Sequence, residues 1–198
     1  MSDTRQRLIV AVSGASGSLL GLRLLQLLNQ VEGWETHLVL SSAAILTAKL
    51  ELNESRETFE ALATQVHSNK DIGASIASGS FRTAGMVVIP CSMNTLSGIA
   101  NGASSNLITR AADVTLKERR KLVLVTREAP LNLIHLRNMT FATEAGATIM
   151  PPVPSFYLGP CSLDEAVTQM AGRVLDQFNI EVSGMKRWEG TAQEGGKL

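Results

Sequence analysis

The stretch LIVAV at Leu8 to Val12, followed at once by SGASGS at Ser13 to Ser18, decides the fold of this chain. Five apolar residues in a row are typical of a strand that is buried on both faces of a parallel sheet. The small residues behind this run predict a tight turn, and the leucines of residues 19–31 recur at helical spacing. A second strand is predicted at Glu35 to Leu40, so the first forty residues predict one strand–helix–strand unit.

The same alternation continues along the rest of the chain. Further strands are predicted at Met86 to Ile89, Leu122 to Val125 and Ala147 to Met150. Helices are predicted at residues 43–50, 56–65, 95–100, 107–117, 132–144 and 162–178. Strands that alternate with helices predict an α/β fold, here a single domain with a three-layer, doubly wound parallel sheet. We assign residues 1–190 to this domain and the glycine-rich residues 191–198 to a flexible C-terminal tail.

The composition excludes several classes of protein. With 18 Lys and Arg against 18 Asp and Glu, the chain lacks the cationic surplus of a nucleic-acid-binding protein. Hydrophobic residues make up 44% of the sequence, too many for a disordered chain, and no apolar run is long enough to span a membrane. Cys91 and Cys161 have neither disulfide nor metal-ligand spacing, so we expect no metal site and a reducing, cytoplasmic location.

In a doubly wound sheet the ligand binds beyond the carboxyl ends of the strands, so the residues after each apolar run predict the function. Glycines and hydroxyls between Ser13 and Ser18 predict a phosphate-binding turn at a helix N-terminus, with a plain packing turn as the alternative. The second strand ends in Ser41, where NAD enzymes usually carry an acidic residue. PCSMNT at Pro90 to Thr95 predicts a second anion or ribityl site, or an ordinary helix cap.

Charged side chains also stand at informative positions. Arg127 and Glu128 follow the strand at Leu122 to Val125, where they can combine an anion clamp with a proton donor or acceptor. A surface ion pair is the alternative. Arg110 and Lys117 are two helical turns apart, so they project from one helix face and either line one pocket or belong to a solvated basic stripe. We interpret Cys91 and the three histidines as structural or exposed residues.

Together these motifs resemble the flavin prenyltransferases of the UbiX family, over nearly the whole chain. The matching segments are GASG at 14–17, LVLSSAA at 38–44, IPCSMNTLSGIA at 89–100, RAADVTLKERRKLVLVTREAPL at 110–131 and PPVPSFY at 151–157. RAADVTLKERR followed by REAPL is the most distinctive of them. Two positions depart from the family: Ser42 stands where a lysine is common, and Leu20 stands where an aromatic residue often follows GASG.

The resemblance implies a Rossmann-like or flavodoxin-like flavoprotein that binds reduced FMN and dimethylallyl monophosphate without a metal. It implies that the enzyme joins the prenyl group to N5 and C6 of the flavin. The product, prenylated FMN, would then serve a partner decarboxylase of the UbiD type. The resemblance also implies a homo-dodecamer with sites at the subunit junctions.

The functional residues of the family carry over to matching positions of this sequence. FMN would be held by Gly14, Ala15, Ser16, Ser41, Ser92, Met93, Asn94, Thr95 and Arg127. The prenyl phosphate would be held by Arg110, Lys117, Tyr157 and Arg173. Trp188 would reach the prenyl pocket from a neighbouring subunit. Glu128 would be the acid–base glutamate, with Ser16 and Glu51 as further catalytic residues.

Three rival functions make different predictions. A short-chain reductase shares GASG after the first strand but needs Tyr-x-x-x-Lys, and Tyr157 is followed four residues later by Cys161. A flavin-dependent cysteine decarboxylase would use a catalytic histidine after the first helices, and none stands at a suitable place. A carrier that merely stores FMN would not need the second phosphate site of Arg110 and Lys117.

Overall fold

Six parallel strands form one sheet in the computed structural model, which describes residues 5–188 and 190. The strands are β1 (Gln6–Val12), β2 (Trp34–Leu40), β3 (Gln65–Ser68), β4 (Gly85–Cys91), β5 (Lys121–Thr126) and β6 (Thr148–Ile149). They are arranged in the order β3-β2-β1-β4-β5-β6, and every neighbouring pair is parallel. This is the strand order of the Rossmann-type doubly wound sheet, so the predicted fold class is confirmed.

Seven helices cover the two faces of the sheet. They are α1 (Ser18–Leu28), α2 (Ser42–Leu52), α3 (Arg56–Glu60), α4 (Met93–Ala100), α5 (Leu107–Lys117), α6 (Leu133–Glu144) and α7 (Leu163–Asp176). Short 3₁₀ turns lie at Ser75–Ala77 and Phe156–Leu158. None of the helices within residues 5–188 and 190 is long and apolar enough to cross a bilayer.

Side-chain alternation along the strands divides the core into two layers. Leu8, Val10 and Val12 of β1 pack with α1, α2, α3 and α7, whereas Ile9 and Ala11 pack with α4, α5 and α6. We call these layers the α7 face and the α5 face of the sheet. The continuous apolar run of β1 is thus explained by burial on both sides, as the sequence predicts.

The predicted end of one helix is wrong. The helix expected over residues 56–65 ends at Glu60, and Gln65–Ser68 forms the edge strand β3. The reason is a pair of hydrogen bonds to β2: Thr64 N donates to Thr36 O, and Thr36 N donates to Thr64 Oγ1, both at 3.1 Å. These bonds draw the chain alongside β2 before a second helical turn can form. The domain boundary at residue 190 stays a prediction, and the predicted tail lies outside the described residues.

Candidate functional site

The sheet reverses its winding between β1 and β4, and this point is where a doubly wound fold opens a crevice for a ligand. Ser13, directly behind β1, joins the two strand ends. Its hydroxyl donates to Pro90 O at 3.0 Å and accepts from Ser92 N at 2.8 Å. The sequence analysis counted Ser13 only among the hydroxyls of the predicted phosphate-binding turn and did not predict this link to β4. The link could have been predicted from the position of this hydroxyl directly behind an apolar strand, because a buried hydroxyl there needs hydrogen-bond partners from the backbone.

The turn at Gly14 to Gly17 differs from the predicted phosphate-binding turn. The N–H groups of Gly17 and Ser18 both donate to the Glu51 carboxylate, at 3.0 and 2.8 Å. A carboxylate from α2 therefore occupies the N-terminus of α1, where we expected an anionic ligand. Burial alone would raise the pKa of Glu51. Hydrogen bonds from the Ser16 hydroxyl and from these N–H groups lower it by more, so the carboxylate is ionised at neutral pH. Glu51 thus fixes the turn and holds Ser16.

Close packing places the same turn against α2. A Cβ atom on Gly14 would lie 2.3 Å from Cβ of Ala43, so only glycine fits there. Ser41, one of the predicted FMN ligands, caps α2 by accepting a hydrogen bond from Ala44 N at 3.0 Å. The backbone approach at Gly14 brings the ends of β1 and β2 together at one wall of the crevice.

The segment Pro90 to Thr95 forms a hydroxyl-lined helix start on the other side of the crevice. Ser92 caps α4: its Oγ accepts from Thr95 N at 3.3 Å and donates to Thr95 Oγ1 at 3.1 Å. The ordinary-cap alternative therefore holds for the Ser92 side chain. Asn94 and Thr95 also line a polar groove whose other walls are Ser97, Gly98, Asn101, Ala103, Ser105, Asn106 and Thr109. The groove presents hydroxyls and amides without any carboxylate, which suits a phosphate or a polyol chain.

Arg127 and Glu128 stand exposed at the carboxyl end of β5. Neither forms an ion pair with another of the described residues, so the surface-ion-pair alternative fails. Glu128 Oε1 only accepts from the neighbouring Ala129 N at 3.1 Å. Cys91 lies beside this strand end, but burial raises the pKa of its thiol to about 12. Cys91 is thus a buried residue, in line with its structural interpretation, and the exposed charges at this strand end are those of Arg127 and Glu128.

A cavity opens on the α7 face, beyond β4 and β5. Its lining is apolar except for Ser155 and Arg173, and consists of Leu20, Ile89, Val125, Met150, Pro151, Pro152, Val153, Ser155, Met170, Arg173 and Val174. Leu20, which departs from the family pattern, is one of these wall residues. Near Arg173, the ring of Trp188 meets the ring of Tyr157 edge to face, with centroids 5.5 Å apart. The structure therefore brings Trp188 to Tyr157 of the same chain, and its arrival from a neighbouring subunit stays a prediction.

Arg110 and Lys117 share one face of α5, as their spacing predicts. Arg110 Nε donates to Ala77 O at 3.3 Å, while Lys117 pairs with Glu118. The Lys117 ammonium also lies close to Gly79, since a Cβ atom there would be 2.7 Å from Nζ. Both cations thus run along the chain segment that precedes β4.

One chain does not gather all the predicted phosphate ligands. Lys117 ends α5, just before β5 begins, whereas Glu128 follows the end of β5. The six residues of β5 separate these points by about 20 Å. In addition, α5 and α7 cover opposite faces of the sheet. Tyr157, Arg173 and Trp188 therefore lie on one side, and Arg110 and Lys117 lie on the other.

Two of the histidines form a buried pair that the sequence did not reveal. His37 Nδ1 and His67 Nε2 are 3.0 Å apart on β2 and β3, and the rings are stacked. Both side chains face the α5 face, where Phe81 packs edge-on against His37. Burial and the neighbouring His67 lower the pKa of His37 to about 4. The structural interpretation of these histidines is supported, and no group of three metal-ligating side chains occurs within residues 5–188 and 190.

Comparison with known proteins gives consistent results. A family model described as Flavoprotein matches residues 1–174. The flavin prenyltransferase UbiX of Escherichia coli strain K12 is 56% identical over 187 residues, which cover 93% of this chain and 99% of that protein.

Two solved structures share the fold closely. The crystal structure of AnUbiX (PadA1) in complex with FMN and dimethylallyl pyrophosphate superimposes with a TM-score of 0.91 at 48% identity, over 94% of this chain and 98% of that chain. The dodecameric FMN-dependent Ubix-like decarboxylase from Escherichia coli O157:H7 superimposes with a TM-score of 0.91 at 50% identity, over 93% of this chain and all of that one.

Proposed function

The chain belongs to the UbiX family of flavin prenyltransferases, and on this premise we propose that it transfers the dimethylallyl group of dimethylallyl monophosphate to N5 and C6 of reduced FMN. The family predicted from the motifs is thereby confirmed. The observation that carries the proposal is the pair Arg127 and Glu128, which is exposed at the carboxyl end of β5, beside the crevice between β1 and β4, and forms no ion pair with residues 5–188 or 190. A charged pair left free at this edge suits a reaction in which phosphate leaves and a proton moves.

FMN fits the crevice. Gly14 keeps the β1 turn free of a side chain, and the hydroxyls of Ser41, Ser92 and Thr95 line the helix starts on both sides. The polar groove at Asn94 has the donors that a ribityl phosphate requires. The remaining proposed flavin contacts are Ala15, Ser16, Met93 and Arg127. When bound, reduced FMN supplies the two nucleophilic positions, N5 and C6.

The prenyl phosphate site is proposed to be shared between two copies of the chain. One copy would supply Tyr157 and Arg173, and the other would supply Arg110 and Lys117. The ring of Trp188 lies against Tyr157 within one chain, and we propose this contact in place of the predicted arrival of Trp188 from a neighbouring subunit. The positions of α5 and α7 on opposite faces support this division, because the sheet stands between the two groups of side chains. The E. coli O157:H7 relative is dodecameric, and we propose the same assembly here. Clustered cations would then stabilise the departing phosphate without a metal.

Proton transfer is assigned to Glu128 and Ser16. Bond formation at N5 breaks the allylic C–O bond and releases phosphate together with the N5 proton, and bond formation at C6 adds one proton to the prenyl double bond and releases the proton of C6. The exposed Glu128 carboxylate accepts that proton, directly or through the departing phosphate, whose second pKa lies near neutrality. Ser16 is held for this exchange by Glu51, whose own carboxylate stays ionised because it accepts the N–H groups of Gly17 and Ser18.

The product and the location are part of the same proposal. Prenylated FMN would pass to a decarboxylase of the UbiD type, since a modified flavin of this kind is useful only to an enzyme that takes it up. Cys91 and Cys161 are both free thiols, which supports the reducing cytoplasm as the location.

Anaerobic incubation of the protein with reduced FMN and dimethylallyl monophosphate tests the proposal. Mass spectrometry of the released flavin should show the added C₅ group, and the yield should be unchanged by EDTA. Parallel reactions with the pyrophosphate define the leaving group that the enzyme accepts. Recovery of unmodified FMN alone from reactions with both esters would exclude the activity.

A further inference from the structure

The segment after α7 turns back and crosses that helix. Met185 packs against Gly172 so closely that a Cβ atom on Gly172 would lie 2.2 Å from Met185 Cε. The next residue, Lys186, donates to Glu165 Oε1 at 2.5 Å near the start of α7. We call residues 181–188 the strap. These contacts fix the strap at the middle and at the beginning of α7.

A third contact fixes the strap at the end of α7, and it involves a residue with no assigned role. The Asp176 carboxylate accepts from Arg187 at both oxygens, with Nη1 3.0 Å from Oδ2 and Nη2 2.9 Å from Oδ1. Its Oδ2 also accepts from Arg173 Nη1 at 2.6 Å. Asp176 thus holds two arginines at once, one from α7 and one from the strap. Only 14% of its side chain is exposed, against 47% for Arg173, so the carboxylate is the fixed member.

The two arginines belong to different parts of the proposed substrate site. Arg173 lines the cavity on the α7 face, and Arg187 directly precedes Trp188, whose ring lies against Tyr157. Both Tyr157 and Trp188 are otherwise largely exposed. One carboxylate between two guanidinium groups leaves a positive charge uncompensated, which suits an anion. Asp176 therefore links Arg173, a proposed phosphate ligand, to the aromatic pair of Trp188 and Tyr157.

We propose that Asp176 is a positioning residue of the substrate site, which orients the Arg173 guanidinium and, through Arg187, holds Trp188 against Tyr157. The proposal rests on the proposed prenyl transfer, because Arg173, Tyr157 and Trp188 matter only if that substrate binds among them. Burial alone would raise the pKa of Asp176, but the hydrogen bonds from Arg187 and Arg173 lower it by more, so the carboxylate is charged at neutral pH.

The substitution Asp176→Asn keeps the shape of the side chain and removes its charge. We expect KM for dimethylallyl monophosphate to rise about tenfold, the loss typical of a charge-assisted hydrogen bond, with kcat changed by less than about threefold. The Kd for FMN should stay the same. In a Trp34→Phe background, in which Trp188 is the only tryptophan, emission should shift to the red as the ring leaves Tyr157. Asp176→Glu should restore part of both signals.

Matched variants separate this role from a structural one. Glu60→Gln removes a carboxylate of the same kind from its pair with Arg56 on α3, outside the proposed site, and should leave KM and emission unchanged. Arg187→Gln, at a half-exposed position, should raise KM and shift emission in the same direction, and it decides the question if Asp176→Asn does not fold. An unchanged or lower KM in an active enzyme would overturn the role of Asp176. Absence of product from the unsubstituted enzyme would instead overturn the proposed function.

Discussion

The two faces of the sheet hold their cationic side chains in opposite ways. On the α7 face, Arg173 and Arg187 share the single carboxylate of Asp176, and the strap brings Trp188 to Tyr157 within one chain. On the α5 face, Arg110 and Lys117 lie along a rigid helix, each with its own local partner. The first group depends on contacts across the chain, and the second depends on helical spacing alone.

Under the proposed function, this difference would leave one chain with two half-sites. Each face positions its cations well, but the sheet itself stands between the two groups. Glu128 stands exposed at the carboxyl edge of the sheet, just after β5. A second copy that presents its α5 face to the α7 face of the first would complete a phosphate site, and the following experiments test that arrangement.

The largest effect is expected at the edge that both half-sites need. Glu128→Gln should lower kcat by about 10²–10⁴-fold, the usual contribution of a general acid or base. FMN binding should be unaffected, because the substitution keeps the size of the side chain and leaves every helix cap in place. Flavin titration and anaerobic single-turnover kinetics measure the two quantities. A rate equal to that of the unsubstituted protein would remove Glu128 from the mechanism.

A pair of variants then asks whether the half-sites come from different chains. Lys117→Met should lower kcat/KM by about 10–100-fold, since it removes a charged phosphate ligand. Co-expression of Lys117→Met and Glu128→Gln subunits should restore activity at about a quarter of the sites, where random mixing joins two unsubstituted residues from neighbouring copies. If Lys117 and Glu128 of one chain served the same site, co-expression would restore nothing. Oligomers from each strain alone are the control.

The smallest expected effect is a difference between the two faces in how acid changes their contribution to stability. His37 has a pKa of about 4 in the folded chain against 6.5 when unfolded, so the unfolded state binds more protons between these values. The free energy of unfolding should therefore be highest above pH 6.5 with respect to this group, and it should fall by on the order of 2–3 kcal/mol as the pH drops towards 4. The charged groups that face His37 are His67, Glu35 and Arg7.

The α7 face should resist the same change. The pKa of Asp176 lies below its usual value because Arg187 and Arg173 hydrogen-bond to it, so its ion pairs persist until the pH falls below that range. Urea unfolding from pH 7 to 4.5 measures the loss, and His37→Gln should flatten most of the slope. An equally steep slope in that variant would assign the acid sensitivity elsewhere.

Local patterns predicted most of the fold. The apolar runs of β1, β4 and β5 and the leucine spacing of α1 appear as expected, because burial on both faces leaves a direct mark on the sequence. Strand β3 was missed because QVHS is short and polar, and only its hydrogen bonds to β2 make it a strand.

The site was predictable where function depends on the ends of strands, and less so elsewhere. Arg127 and Glu128 stand where the pattern of β5 places them. The contact of Glu51 with the turn at Gly17 spans 34 residues, and the His37–His67 pair spans 30, so neither leaves a local periodicity. Asp176 was missed for the same reason, because the role of this carboxylate in the last turn of α7 depends on its hydrogen bonds with Arg187 of the strap.

The hydroxyl of Ser13 has a consequence for what can enter the crevice. It donates a hydrogen bond to Pro90 O and accepts one from Ser92 N, so one oxygen atom joins the residue behind β1 to the end of β4. Only 2% of the residue is exposed, so both hydrogen bonds lie out of contact with water. A ligand that enters the crevice therefore has to be bound by groups other than this hydroxyl.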